Sequence, residues 1–269
     1  MNQGGLRLKE IFKISKDNKP LVSIITIVFN GDKFLETTIN SVLSQTYSNI
    51  EYIIVDGGST DRSIEIIKKH ENSIDYWISE RDNGIADAFN KGIALSRGEI
   101  IGILNADDWY EADAVQTIIS NLKPYPAIYS GHMKLYNIDG NQFIKLHKTR
   151  PDRLSQTMRV AHPSTFVHRN VYSSVGNFSL EYKIAMDYDF LLRVRSYPFE
   201  IITINKVLSN MRLGGISANI YKVLREELKI KNRYIGNKIQ HIIWFVFFSL
   251  FHFLKNTITS LLFKFKNNA

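Results

Sequence analysis

The sequence predicts an α/β fold, a Rossmann-like mixed sheet sandwiched by helices. Three observations carry that prediction. Between residues 20 and 105, β-branched apolar runs alternate four times with segments of helical periodicity, the pattern of a parallel sheet whose crossovers are helices. Polar clusters follow these runs at Asn30-Gly31, Asp56-Gly57-Gly58-Ser59-Thr60-Asp61, Asp82-Asn83-Gly84 and Asn105-Ala106-Asp107-Asp108. Right-handed crossovers set such strand ends along one edge, where open α/β sheets bind ligands. Finally, two adjacent carboxylates, Asp107 and Asp108, stand where the fourth strand stops.

Each element has its own signal. The run from Pro20 to Phe29 is rich in Ile and Val and ends at an Asn-Gly turn. Phe34, Leu35, Ile39, Val42 and Leu43 then recur at helical spacing. A strand over Ile50–Val55 enters the Asp56 cluster, and a helix from Ser63 to Lys69 follows. Tyr76-Trp77-Ile78-Ser79 is the third extended run. The next helix carries Ala86, Phe89, Asn90, Ile93 and Leu95, with Gly98 placed to close it. Glu99-Ile100-Ile101-Gly102-Ile103 reads as a buried strand leading to Asn105. Farther on, Ile138-Asp139-Gly140 sits between two strand-like runs and predicts a hairpin. Phe190, Leu191 and Val194 mark a later helix.

Adjacent carboxylates repel each other and are costly to bury unpaired. A divalent cation removes that cost, and Mg²⁺ or Mn²⁺ typically takes one or two carboxylates plus phosphate oxygens. A helix cap is the competing explanation for these residues. Taken locally, Asp56 likewise reads as a helix-capping or turn residue ahead of Ser59-Thr60.

The ordered set Val22-Ser23-Ile24-Ile25-Thr26-Ile27-Val28-Phe29-Asn30, Val55-Asp56-Gly57-Gly58-Ser59-Thr60-Asp61, Asp82-Asn83-Gly84-Ile85-Ala86-Asp87 and Leu104-Asn105-Ala106-Asp107-Asp108 resembles the family 2 glycosyltransferases. The resemblance covers roughly residues 20 to 215. It implies the GT-A fold and inverting transfer of a sugar from a nucleotide diphosphate donor, with Mn²⁺ or Mg²⁺ as cofactor. It further implies that Asp107 ligates the metal with help from Asp108, and that Asp56 accepts the N–H of a base, usually uracil. Phe29 and Asn30 would line the base pocket, with Asp82, Asn83, Gly84, Asn105 and Ala106 near the donor. The family often has Asp where this chain has Asn105, and an amide is the poorer metal ligand.

An inverting transfer needs a base for the attacking hydroxyl. The family places an Asp at the head of a helix for this, which here is Asp187, with Met186 replacing the usual Glu. Asp189 is the rival; four residues from Arg193, it suits a helix-surface pair. His162 is a candidate acceptor-site residue, and His168 reads as a packed or surface histidine. Arg81 suits either a phosphate or solvent.

Residues 1–19 read as a basic N-terminal extension, 20–220 as the catalytic domain and 221–269 as a basic, aromatic, amphipathic helical tail. Seven of the eight net positive charges fall in that last segment, which has nine Lys/Arg and two Glu. They flank an apolar stretch from Ile239 to Leu254. As a helix it would rise about 24 Å, short of a ~30 Å hydrocarbon core. A helix lying on an anionic membrane surface is the preferred expectation. A tilted span, a homo-oligomer formed through these helices and a helix packed on the domain are the alternatives. The basic charge accompanies aromatic apolar sequence rather than a nucleic-acid motif, so no nucleic-acid partner is expected. The absence of cysteine excludes disulfides and thiolate chemistry. No apolar signal core occupies the first 19 residues, and the expected location is cytoplasmic, peripheral on the inner membrane face. The expected partners are a nucleotide diphosphate sugar and a glycan or lipid-linked oligosaccharide acceptor. A non-catalytic nucleotide-sugar-binding scaffold and a sugar nucleotidyltransferase are the rival functions; the latter class usually opens with a Gly-rich, basic phosphate loop, which residues 22–31 lack.

Overall fold

A computed structural model describes residues 2–215 and 219–236. The chain divides into two compact units, Met1–Gly215 and Ile216–Ala269. The first contains β1 (Asn2–Gly4), β2 (Val22–Val28), β3 (Ile50–Asp56), β4 (Tyr76–Ser79), β5 (Ile100–Asn105), β6 (Trp109–Tyr110), β7 (Ile128–Tyr136), β8 (Phe143–His147), β9 (Thr165–His168) and β10 (Ile201–Arg212). Its helices are α1 (Asp32–Leu43), α2 (Ser63–Lys69), α3 (Ile85–Leu95), α4 (Ala114–Ile119), α5 (Arg169–Val175) and α6 (Met186–Val194). The strands form one mixed sheet in the order β1-β4-β3-β2-β5-β9-β7-β10-β6, with β8 paired to β7.

The four strands expected from alternation, β4, β3, β2 and β5, are adjacent and parallel. Every residue of β2 and β3 is buried. A strand covered on both faces is largely apolar rather than alternating, and these Ile/Val-rich sequences fit, their buried polar residues being hydrogen-bonded or paired: Ser23 donates to Glu51, and Thr26 lies 3.0 Å from the Tyr52 hydroxyl. On one face Ile24, Tyr52 and Ile54 pack with Leu35 and Ile39 of α1. On the other, α3 lies so close to β2 that a Cβ on Gly92 would stand 2.3 Å from Ile25 Cγ2. The α/β sandwich expected from the sequence is the fold observed.

Two expectations change in detail. Residues 1–19 are not an appendage: β1 adds antiparallel to β4, and Arg7 and Lys13 pair with Glu51 and Asp75 at 2.5 and 2.8 Å. Both acids are buried, and a buried carboxylate requires a counter-charge, so these basic residues are used inside the unit. Gly98 does not close α3, which ends at its cap residue Ser96. Instead a Cβ at Gly98 would lie 2.5 Å from Ser23 N, so glycine there lets the chain cross the start of β2. The hairpin at Asn137–Gly140 joins β7 to β8 as expected, Gly140 adopting φ +75°.

In the second unit, α7 (Ile220–Tyr234) is capped by Asn219, whose side chain accepts from Lys222 N at 3.2 Å. The apolar stretch from Ile239 to Leu254 lies outside the described residues. No helix among the described residues is long and apolar enough to cross a membrane.

Candidate active site

Sheet register aligns the polar clusters. Asp56 pairs across β3–β4 with Ser79 and across β2–β3 with Val28, while Ile27 pairs with Asn105 of β5. Four strand ends thus finish in one row. At the usual interstrand spacing Asp56 and Asn105 stand about 10 Å apart.

Asp56 is fully buried, and its two oxygens are used differently. Oδ2 accepts from Gly58 N and Ser59 N at 3.0 Å each and from Ser79 Oγ at 2.7 Å. Oδ1 is buried without a hydrogen-bond partner among the described residues. One oxygen therefore holds the turn, and the other is a buried acceptor whose capacity is unused among the described residues. Asn30, at φ 50°, accepts Thr60 N at 2.9 Å through its side chain and donates its own N–H to Ser59 Oγ at 2.8 Å. Its amide pins the loop, leaving the ring of Phe29, 65% exposed, as the apolar wall. A Cβ on Gly57 would meet Asp82 Oδ2 at 2.5 Å and Phe29 Cδ2 at 3.4 Å, so these side chains converge on bare backbone. Asp82 accepts Gly84 N at 2.9 Å, with Gly84 at φ +113°, and Asn83 N donates to Asp87 at 2.9 Å. Arg81 is exposed, and its backbone runs beside Gly58, where an added Cβ would stand 3.6 Å from Arg81 N.

At the other end of the row, the turn Asn105–Asp108 is held by its main-chain carbonyls. Thr38 Oγ1 of α1 lies 2.8 Å from Ala106 O and 2.6 Å from Asp108 O. The Arg212 guanidinium, from the end of β10, donates to Asp107 O. It is clamped between the rings of Phe34 and Trp109, 4.1 and 4.4 Å from their centroids. Asp108 is buried; Oδ2 lies 3.4 Å from Asn105 Nδ2, and Oδ1 has no partner among the described residues. Burial, then the neighbouring Asp107 charge, hold the Asp108 carboxyl well above the usual carboxylate range. Burial raises Asp107 as well, with Arg212 opposing. Two desolvated, mutually repelling carboxylates with an orphaned oxygen fit a divalent cation. No helix starts at either residue, so capping does not explain them. Among the described residues, no group of three or more His, Cys, Asp or Glu gathers to hold a metal, so any further ligands would come from the bound molecule or water.

Asp187 lies in the first turn of α6, half-buried, with Oδ1 accepting Tyr188 N at 2.8 Å. It lines a small cavity with Ile103, Met158, His162 and Phe178. Ile103 precedes Asn105 by two residues on β5, on the same strand face. The carboxylate therefore flanks the strand that ends in the Asp107 turn. His162 stacks on Phe89 at 5.0 Å, and burial drives its pKa down to about 4. Asp189 corrects the expectation of a surface pair. It meets Arg193 at 2.9 Å, but it is 1% exposed, and Arg193 also donates to Val175 O and Asn177 O at 2.7 Å each. That pair fastens α6 to the chain after α5. His168 caps α5, its Nδ1 accepting Asn170 N at 3.1 Å.

Sequence reasoning missed Thr38 and Arg212. Neither carries a local motif, since each acts on main-chain atoms about 70 and 105 residues away.

A family model described as Glycosyl transferase family 2 matches residues 23–190. An uncharacterized glycosyltransferase of Mycobacterium tuberculosis is 29% identical over 82% of this chain and 89% of its own length. The chondroitin synthase of Escherichia coli is 30% identical over 76% of this chain but only 30% of its own length. Among solved structures, S. aureus TarS (residues 1–349) in complex with UDP-GlcNAc superposes with a TM-score of 0.60 at 17% identity, covering 82% of this chain and 69% of that one. The mannosyltransferase PcManGT of Pyrobaculum calidifontis, in complex with GDP-Man and Mn²⁺, gives a TM-score of 0.65 at 17% identity over 88% and 74%. Both likenesses concern the fold.

Proposed function

The chain belongs to glycosyl transferase family 2, and on that premise we propose that it transfers a sugar, with inversion, from a UDP-sugar to a hydroxyl of a lipid-linked glycan acceptor in bacterial surface polysaccharide synthesis. The observation that carries the reading is one row of strand ends with two buried carboxylate oxygens along it that are unpartnered among the described residues, Asp56 Oδ1 at the end of β3 and Asp108 Oδ1 in the turn after β5. That is complementary to a ligand with a base N–H at one end and a cation-bridged diphosphate at the other. The nucleotide sugars held by TarS and PcManGT support the donor class.

In this reading Asp56 Oδ1 accepts the uracil N–H, with Phe29 and Asn30 at the side of the base. Asp82, Asn83, Gly84, Asn105 and Ala106 shape the ribose and diphosphate stretch. Mn²⁺ or Mg²⁺, held by Asp107 and Asp108 with phosphate oxygens, would supply the positive charge that a departing nucleoside diphosphate requires. Asp187 takes the proton of the acceptor hydroxyl as that oxygen attacks from the side opposite the leaving group. The Gln-x-x-Arg-Trp pattern of processive relatives does not occur in the sequence, supporting one sugar per acceptor encounter. The basic segment after residue 220 supports work as a peripheral protein at the inner membrane face.

The test is UDP binding with Mn²⁺ and with chelator. Asp107→Ala should make UDP affinity indifferent to Mn²⁺ and abolish transfer. Asp56→Ala should weaken UDP by about 1–3 kcal/mol through loss of a charged hydrogen bond, with far less effect on pyrophosphate, which lacks the base. Mn²⁺-enhanced UDP binding and intact transfer in Asp107→Ala would overturn the assignment.

A further inference from the structure

Away from the strand-end row, a cavity of about 310 Å³ lies against β8 and the chain that follows it. Five of its seven lining residues are cationic: Lys145, Lys148, Arg150, Arg153 and Arg159. Asp152 neutralises Arg150, at 3.0 and 2.9 Å from two of its guanidinium nitrogens. Among the described residues, Lys145, Lys148, Arg153 and Arg159 form no ion pair. His147 completes the wall with a buried Nε2 that lacks a hydrogen-bond partner among the described residues. Four cations without an ion pair, only Arg153 among them feeling the nearby Asp152 charge, surround one concave surface, repel each other and focus a positive potential that a polyanion relieves.

The same strand is unusual in a second way. Phe143, Ile144 and Leu146 of β8 are 52%, 45% and 39% exposed. A free edge strand is ordinarily protected by charge or by cover; this one sets bare apolar side chains beside a cationic cavity. The complementary ligand carries an anionic head on a hydrocarbon body. Position adds a third argument. Arg159 follows Met158 directly, and Met158 and His162 line the cavity that holds Asp187. The strand of chain from Arg153 to His162 thus serves both places.

We propose that the cavity walled by Lys145, Lys148, Arg153 and Arg159 binds the phosphate or diphosphate headgroup of a hydrocarbon-bearing acceptor, presenting the attached sugar to Asp187. This deepens the transferase reading above and rests on it for the word acceptor. Guanidinium groups grip phosphate oxygens in bidentate fashion, and β8 gives the hydrocarbon an apolar seat.

The experiment titrates full-length protein, in chelator, with dodecyl phosphate below its micelle concentration, dodecyl maltoside and inorganic phosphate. It is repeated with phosphatidylglycerol vesicles. Dodecyl phosphate should bind measurably, the neutral maltoside should not, and inorganic phosphate should bind far more weakly. The variant Lys148→Gln/Arg153→Gln/Arg159→Gln alters exposed side chains only. It should lose about a hundredfold in dodecyl phosphate affinity while binding UDP with Mn²⁺ as the parent does. Unchanged dodecyl phosphate affinity in that variant overturns the proposal. Inorganic phosphate binding as tightly as dodecyl phosphate also overturns it, by making this a site for free anions. Vesicle binding without saturable dodecyl phosphate binding overturns it in favour of general membrane contact. If dodecyl phosphate binds as expected but no nucleotide sugar supports transfer, the transferase reading fails and the headgroup site stands.

Discussion

Asp108→Asn should make the cation-free protein more stable and useless as a transferase. The argument starts from charge. Asp108 is 1% exposed, Oδ1 has no partner among the described residues, and its neighbour Asp107 is also an acid held above its ordinary pKa. A carboxyl whose folded pKa is raised contributes stability when protonated and loses it as pH climbs from the unfolded value, 3.8, through the folded one. The folded state therefore loses stability relative to the unfolded chain as pH rises above 3.8. An amide keeps the shape and the contact with Asn105 without that charge. An unsatisfied buried polar group costs about 1–3 kcal/mol and a charged one more, so the substitution should recover about 1–3 kcal/mol. For a domain of this size that corresponds to a melting temperature higher by about 2–10 °C. The assay is thermal unfolding in EDTA between pH 4 and pH 8. The gain should be largest at the alkaline end and shrink toward pH 4. With Mn²⁺ and UDP the parent should be stabilised by mass action and the variant much less. A variant less stable at pH 7.5, or a gain that does not depend on pH, would refute the reasoning.

Asp187→Asn should lower the transfer rate by about two to four orders of magnitude with UDP-sugar affinity unchanged; Asp189→Asn should instead lower stability, because it cuts the tie to Arg193, and the opposite pattern would reassign the base. Arg212→Met should weaken Mn²⁺-dependent UDP binding about tenfold or more through loss of its hold on Asp107 O, with unaltered affinity counting against that clamp. His162 is neutral in the folded state down to about pH 4, against 6.5 ordinarily, so the folded state binds fewer protons than the unfolded chain in that window and loses stability as pH falls through it. His162→Phe, which can keep the stack on Phe89, should flatten the loss in unfolding measured from pH 7 to pH 4; identical pH slopes would exclude the histidine as its source.

What was legible in the sequence is what local patterning encodes. β2, β3 and β5 are Ile/Val-rich runs because both faces are covered, and the polar clusters at their ends stand out by contrast. Elements that lack such a pattern were not legible. β1 is three residues long, too short to show a period. β10 shifts register between Thr203 and Val207 and again before Ser209, which breaks the alternation that marks a strand. Asp56, Asp107 and Asp187 were readable because the motifs around them resemble those of the family; an acid at a helix head is by itself ordinary. Arg212 is one of 34 Lys and Arg residues, and only the fold shows that it reaches back to Asp107. The cationic cavity was hidden for a related reason, since Lys145 to Arg159 carry five positive charges with no motif among them.

The hold on the Asn105–Asp108 turn has a consequence for how the protein is made. Thr38 is translated before the turn, whereas Arg212 leaves the ribosome 105 residues after Asp107. The parallel strands β2 to β5 can pair while the chain is still growing, as amino-terminal segments commonly do. The turn between them stays gripped on one side only until β10 docks beside β7. A nascent chain or a fragment ending before residue 212 therefore has β2 to β5 but lacks the Arg212 hold on the turn after β5. Synthesis itself delays the appearance of a competent site until nearly the whole first unit has emerged.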